Sequence, residues 1–170
     1  WVASHPCASH QLMRTFGAAA ATPAASAAMM AATDPWAAFK YSAEECVPKV
    51  RAGKWLKLAK EGGKITGFIS YKPEGIGSMS AISLLCIAPE YRGQGIGSKL
   101  LAYAEEHIFS YDYNALLFVT SFNKEAIKFY EFHGYAKVGE ITDYNVTGVS
   151  EYLYRKTIGP KRQQRLSKSL

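Results

Sequence analysis

The chain has 170 residues, enough for one domain with a sizeable core, and its 48% hydrophobic content is that of an ordinary globular protein. No apolar run is long enough to span a bilayer, so no membrane partner is expected. The formal charge of +6 invites a nucleic-acid reading, but Arg155, Lys156, Lys161, Arg162, Arg165 and Lys168 crowd the end of the chain, and without them 14 basic residues face 14 acidic ones.

Residues 1–10 read as a disordered lead-in, followed by a short strand near Leu12–Phe16. Thr22-Pro23 reads as an N-cap with proline at the first helical position, opening a helix to about Ala32. Asp34-Pro35-Trp36 breaks that helix, and Ser42-Ala43-Glu44-Glu45 is a capping-type start to the next. Lys54–Lys60 favours a strand through Trp55, Leu56 and Leu58. The turn Glu61-Gly62-Gly63 then joins it to an alternating strand over Lys64–Lys72, an antiparallel hairpin. Pro73-Glu74-Gly75-Ile76-Gly77 reads as a loop, and Met79–Ile87 as the central strand.

Pro89 removes a backbone donor and stops that strand. A glycine-rich loop follows, then a helix with apolar positions Leu100, Leu101, Ala104 and Ile108. Ala115–Thr120 is wholly apolar but for its end and suits a buried strand. Asn123 opens a helix closed by Gly134, and Tyr135–Thr142 and Ser150–Thr157 complete the sheet. The order β-α-α-β-β-β-α-β-α-β-β makes a mixed α/β (α+β) layer in a single domain over residues 11–158. The remaining residues 159–170 form a basic flexible tail, without an aromatic for base stacking, so no nucleic-acid partner is expected.

The loop Glu90-Tyr91-Arg92-Gly93-Gln94-Gly95-Ile96-Gly97 carries the chemistry. Three glycines between a strand and a helix let the backbone turn sharply and approach a ligand, and the helix start offers unpaired N–H groups to phosphates. A Walker loop needs Lys-Ser/Thr directly after its last glycine, whereas Gly97 is followed by Ser98-Lys99. A dinucleotide fingerprint needs Gly-x-Gly-x-x-Gly, which Gly93-x-Gly95-x-Gly97 does not supply.

Arg92-Gly93-Gln94-Gly95-Ile96-Gly97 resembles the coenzyme-A loop of the GCN5-related N-acetyltransferases (GNAT), Arg/Gln-x-x-Gly-x-Gly/Ala. A second block at the family's spacing, Asn123-Lys124-Glu125-Ala126 followed by Phe129-Tyr130 and Gly134-Tyr135, resembles Asn-x-x-Ala and Phe/Leu-Tyr-x-x-x-Gly-Phe/Tyr. The resemblance implies a GNAT-type, mostly antiparallel central sheet flanked by helices. It also implies an acetyl-CoA-dependent N-acetyltransferase acting by direct attack in a ternary complex.

On that resemblance, backbone N–H groups from Arg92 to Ser98 hold the pyrophosphate, with Arg92 adding charge; the plainer reading of Arg92 is a surface ion pair with Glu90. The edge of Leu85-Cys86-Ile87 pairs with the pantetheine arm like an added strand, and Asn123 touches the same arm. Tyr130 is the general acid, a phenol protonated at neutral pH that donates to the leaving thiolate. Trp36, Phe39, Tyr41 and Tyr71 are expected near the acceptor, although the three on the helix pair equally suit core packing. The central strand lacks the glutamate that serves many family members as base. Glu74, His107, His133 or a water chain through Ser80, Ser83 or Tyr71 are the alternatives.

The acceptor is expected to be a primary amine, on a small molecule or a peptide N-terminus, and a homodimer is left open. The alternative function is a non-catalytic acyl-CoA-binding regulatory module, against which Tyr130 and Asn123 argue. Cys7, Cys46 and Cys86 are an odd number without metal-type spacing. They read as reduced thiols in a cytoplasmic protein with no metal site.

Overall fold

A computed structural model describes residues 21–160. The expected lead-in, the strand near Leu12–Phe16 and most of the basic tail lie outside the described residues. Four helices and six strands follow in the order α1 (Ala21–Ala31), α2 (Ala43–Arg51), β1 (Trp55–Glu61), β2 (Lys64–Ile76), β3 (Met79–Ile87), α3 (Ile96–Phe109), β4 (Asn114–Thr120), α4 (Lys124–Phe132), β5 (Ala136–Ile141) and β6 (Glu151–Thr157). They form one six-stranded sheet in the order β1-β2-β3-β4-β6-β5. Every neighbouring pair is antiparallel except β3 and β4.

The capping start of α2 forms in full. Ser42 Oγ accepts from the Glu45 N–H, and the Glu45 carboxylate accepts from the Ser42 N–H at 2.8 Å. The segment 73–77 departs from expectation, because β2 continues to Ile76 as a bulged strand and the turn falls after it. Pro73 brings no donor, Glu74 takes a left-handed φ of 51°, and the register with β3 slips between Lys72 and Ile76. A side chain at Gly75 would strike Ala81, so the bulge needs a glycine there.

The two faces of the sheet bury separate cores. On one, α3 sets Leu100, Leu101, Ala104 and Ile108 against Ile69, Tyr71, Ile82 and Leu117. On the other, Ala27 and Met30 of α1 and Cys46 and Val50 of α2 close over Leu58, Phe68 and Cys86. Cys46 and Cys86 are buried free thiols. The charge placed at the chain's end is not all tail: Arg155 and Lys156 lie in β6, Lys156 ion-paired to Glu105 at 2.6 Å. No helix of the described residues is long and apolar enough to cross a membrane.

One feature of the sheet sets up the site. β3 and β4 pair only at Ser80↔Ala115 and Ala81↔Leu116 and then diverge. The closed end is pinned by Asp112, whose Oδ2 accepts from both the N–H and the hydroxyl of Ser80 at 2.8 Å, while Oδ1 takes the N–H groups of Tyr113 and Asn114. Burial works against the Asp112 carboxylate, but these hydrogen bonds outweigh it and hold its pKa below the usual value.

Candidate active site

The divergence leaves one edge of Leu85-Cys86-Ile87 without a strand partner, while the other edge pairs with Gly67, Phe68 and Ile69 of β2. Pro89–Tyr91 makes a single 3-10 turn, and the chain then passes through Gly93 (φ 73°) and Gly95 (φ 76°), both in the left-handed region that favours glycine. Gly95 caps α3 without any side-chain hydrogen bond, and the first bond into the helix is Lys99 N–H to Gly95 C=O at 3.1 Å. The N–H groups of Ile96, Gly97 and Ser98 precede that bond, so the dipole end of α3 faces the loop with donors to spare.

A cavity of about 780 Å³ runs along this edge and loop to the start of α4, within the range of small-molecule sites. Leu85, Cys86, Ile87, Arg92, Gly93, Gly95, Ile96, Gly97, Ser98 and Asn123 all line it, as does Tyr130. Gln94 does not; its side-chain amide turns back and donates to the Glu90 carbonyl at 3.3 Å. Arg92 is not bound to Glu90, which pairs with Lys64 at 3.1 Å. The guanidinium instead reaches toward Glu125 at 3.9 Å and the Ile87 carbonyl at 3.5 Å. Asn123 caps α4, its side chain accepting from the Ala126 N–H at 3.2 Å.

A second, smaller cavity of about 200 Å³ opens beside the α1–α2 connection, between the diverging ends of β3 and β4. Trp36, Phe39 and Tyr41 line it, and the Phe39 ring stands edge-on to Phe122 of the larger cavity with centroids 5.5 Å apart. The two cavities meet, sharing Asp34, Leu85, Asn123, Ala126 and Tyr130 as walls. Tyr130 is 8% exposed, packed edge-on against Phe129 and Tyr135. Burial pushes its pKa well above the ordinary phenol value, so its proton stays in place at neutral pH. Its hydroxyl has no hydrogen-bond partner among the described residues.

Tyr71 lies elsewhere, which corrects its expected place near the acceptor. The alternation of β2 turns it under α3, where it is buried and its hydroxyl meets His107 Nδ1 at 3.0 Å among Trp55 and Tyr111. That placement takes His107 out of both cavities as well. Ser80 is committed to Asp112, Glu74 sits in the β2 bulge, and His133 Nε2 meets Ser98 Oγ at 3.0 Å at the C-terminus of α4. Burial pushes the Cys86 thiol up to about 11, leaving it a poor nucleophile.

Sequence reasoning missed Glu151, Thr120, Asn145 and Phe118, which line the smaller cavity, and Asp34, which lines both. Glu151 is only 4% exposed. It opens β6 directly opposite Thr120, the last residue of β4. Thr120 Oγ1 donates to its Oε1 at 2.7 Å and Asn145 Nδ2 to the same oxygen at 3.0 Å. The one signal available was a carboxylate in phase with Leu153 at the head of an otherwise aromatic and apolar strand start.

Comparison with known proteins agrees with this fold. The family model of the acetyltransferase (GNAT) family matches residues 24–135, about two thirds of the chain. A GNAT-family protein from Desulfovibrio desulfuricans superposes with a TM-score of 0.70 at 15% identity, covering 83% of this chain and 95% of that one. The ribosomal-protein-S18-alanine N-acetyltransferase of Escherichia coli gives 0.68 at 16% identity, with 88% and 96% covered. An aminoglycoside 6'-N-acetyltransferase complexed with coenzyme A gives 0.67 at 20% identity, with 85% and 94% covered. At such identities the structural likeness speaks for the fold, and no curated protein matches the chain. The family model carries the assignment further: this chain belongs to the GNAT family of acetyltransferases.

Proposed function

We propose that the protein moves an acetyl group from acetyl-CoA to a primary amine by direct attack within a ternary complex. The observation that carries this reading is the meeting of the two cavities at Tyr130. The larger one offers backbone N–H groups at a helix start for a pyrophosphate and a free strand edge for an amide-bearing arm. A thioester lying along Leu85–Ile87 would present its carbonyl to main-chain donors as charge develops on the oxygen. The smaller cavity brings the amine past the α1–α2 connection to the same junction. Tyr130, at the junction with its hydroxyl unengaged, protonates the departing thiolate.

The test is thermal melting against acetyl-CoA and CoA, with ATP and NAD as controls, followed by thiol release with a panel of amines. Selective stabilisation by the two coenzyme forms, through simple linkage, together with amine-dependent thiol release is the expected result. No shift with either would remove the coenzyme from the proposal. A shift without any amine-dependent release would leave an acyl-CoA-binding module.

A further inference from the structure

We propose that Glu151 is the catalytic carboxylate that holds the acceptor ammonium and takes its proton, and that the acceptor is an aliphatic primary amine. This rests on the acetyl-transfer reading above and names the group on which that reading is silent. Glu151 Oε1 is held by Thr120 and Asn145, while Oε2 carries no hydrogen bond to a described residue, although the side chain is buried and lines the smaller cavity. That leaves Oε2 free to accept from a ligand in the cavity, and an ammonium supplies both the donor and the compensating charge. Tyr130 stands on another wall of the same cavity, so the proton acceptor and the proton donor flank the space where the amine would attack.

The charged surroundings fit a cation. Asp34 and Lys49 are the other charged groups of that wall, and Lys49 Nζ is already set over the Tyr41 ring at 4.6 Å. Ile141, the β5 partner of Glu151, brings no charge, and Glu140 beside it is paired to Lys137 at 2.8 Å. The size and walls point to an alkyl stem. About 200 Å³ is below the usual volume of a drug-sized pocket, so it takes only the amine-bearing end of the acceptor. Trp36, Phe39 and Phe118 would clasp that stem.

The need for a base selects the class of amine. A peptide α-amine, with pKa about 8, is roughly one-tenth free base at pH 7, and can react without help. An alkylammonium, with pKa about 10, is deprotonated only about once in a thousand, and requires a group to take the proton. That transfer neutralises both charges of the ammonium–carboxylate pair before the attack. The ammonium gives one proton to Glu151 Oε2, and its freed lone pair forms the N–C bond at the thioester carbon. The C–S bond breaks, the thiolate takes the Tyr130 proton, and the second proton on nitrogen returns to the Tyr130 oxygen. Glu151 releases its proton to solvent, so one proton is produced per turnover.

The experiment compares wild type with Glu151→Gln, using propylamine, 1,4-diaminobutane and a tripeptide with a free N-terminus as acceptors, over pH 5–10. Gln keeps an oxygen for Thr120 and Asn145 but cannot accept the proton. Wild-type kcat/KM for the alkylamines is expected to be already high at pH 7, well below the amine pKa. In the variant it falls by about 10²-fold at pH 7 and climbs about tenfold per pH unit toward the amine pKa. The melting shift with acetyl-CoA stays at the wild-type value. If Glu151→Gln does not fold, Asn145→Ala in the exposed loop serves instead. Losing that hydrogen bond loosens the carboxylate and should lower kcat/KM for the alkylamines by roughly tenfold, with the acetyl-CoA shift intact.

A wild-type rate and pH profile in Glu151→Gln, or an unchanged alkylamine rate in Asn145→Ala, overturns the proposal. So does a preference for the tripeptide, or the lack of any amine-dependent thiol release from a protein that acetyl-CoA still stabilises; the coenzyme reading survives both results. Loss of the acetyl-CoA shift in wild type sinks the two readings together.

Discussion

The two cavities are built in opposite ways. The larger one owes its character to main chain: the unpaired edge of Leu85–Ile87, the left-handed glycines at 93 and 95, and the first N–H groups of α3. Those residues are nearly contiguous, so one stretch of sequence specifies them. The smaller one is made by side chains brought from the α1–α2 connection, α2, β3, β4, α4, the β5–β6 loop and β6. No short motif writes it. Backbone sites recognise what every ligand of a family shares, whereas side-chain sites are free to change with the individual acceptor.

That contrast can be broken most severely at Gly95. An added Cβ there meets no protein atom within 4 Å, so the protein itself leaves room for it. Gly95→Glu should nonetheless abolish the melting shift with acetyl-CoA, by charge and bulk against a pyrophosphate and by the strain of a left-handed φ. A folded Gly95→Glu protein with a normal shift would show that the loop is not the coenzyme cradle.

Tyr130→Phe touches the junction and not either cavity alone. It should lower kcat by about 10²-fold while the acetyl-CoA shift is retained, and unchanged turnover would take the phenol out of the mechanism. Phe39→Ala removes one wall of the smaller cavity. An increase of roughly tenfold in KM for the amine, equivalent to about 1.4 kcal/mol, with the coenzyme shift intact, would sharpen the division of labour. Loss of the coenzyme shift would mean the two cavities are not independent.

The smallest effect is on stability at high pH. Burial, followed by the hydrogen bond to the Glu131 carboxylate, pushes Tyr154 up to about 12, and burial likewise raises Tyr71, Tyr130 and Tyr135. A tyrosine in the unfolded chain titrates near 10, so above that pH the unfolded state holds fewer protons than the folded one. The stabilisation is complete below about pH 10 and is lost as pH rises toward 12. Melting temperatures between pH 8 and 12 should fall accordingly; a flat profile would mean these hydroxyls are in contact with water.

The division between backbone and side chains also explains what could be read in advance. The strand Met79–Ile87, the capped helix after Ser42 and the loop-to-helix turn were legible because periodicity, capping residues and glycine positions are local signals. The bulge at Pro73–Ile76 was not, since only its pairing with β3 holds a proline and a left-handed Glu74 in a strand. Tyr71 and the Trp36–Tyr41 group looked alike as aromatic residues near the front of the chain. The phase of β2 sends the first beneath α3 and leaves the others over the cavity. Glu151 gains its environment from Thr120 and Asn145, and from the divergence of β3 and β4, which is a property of the whole sheet.

The divergence has a consequence for the protein's solubility. A strand edge with free donors and acceptors ordinarily invites another sheet to dock on it. The outer strands, β1 and β5, carry Lys60, Glu61, Lys137 and Glu140, charges of the kind that discourage such docking. The unpaired stretch of β3 needs no such guard, because it lies inside the sheet with β4 across the gap and the Asp112 clamp at its closed end. A neighbouring sheet that docked there would bring its second strand against β4, a conflict that a single slender chain does not meet. Recessing the edge thus lets the protein keep a stretch of ladder open to a slender ligand while denying it to other copies of itself.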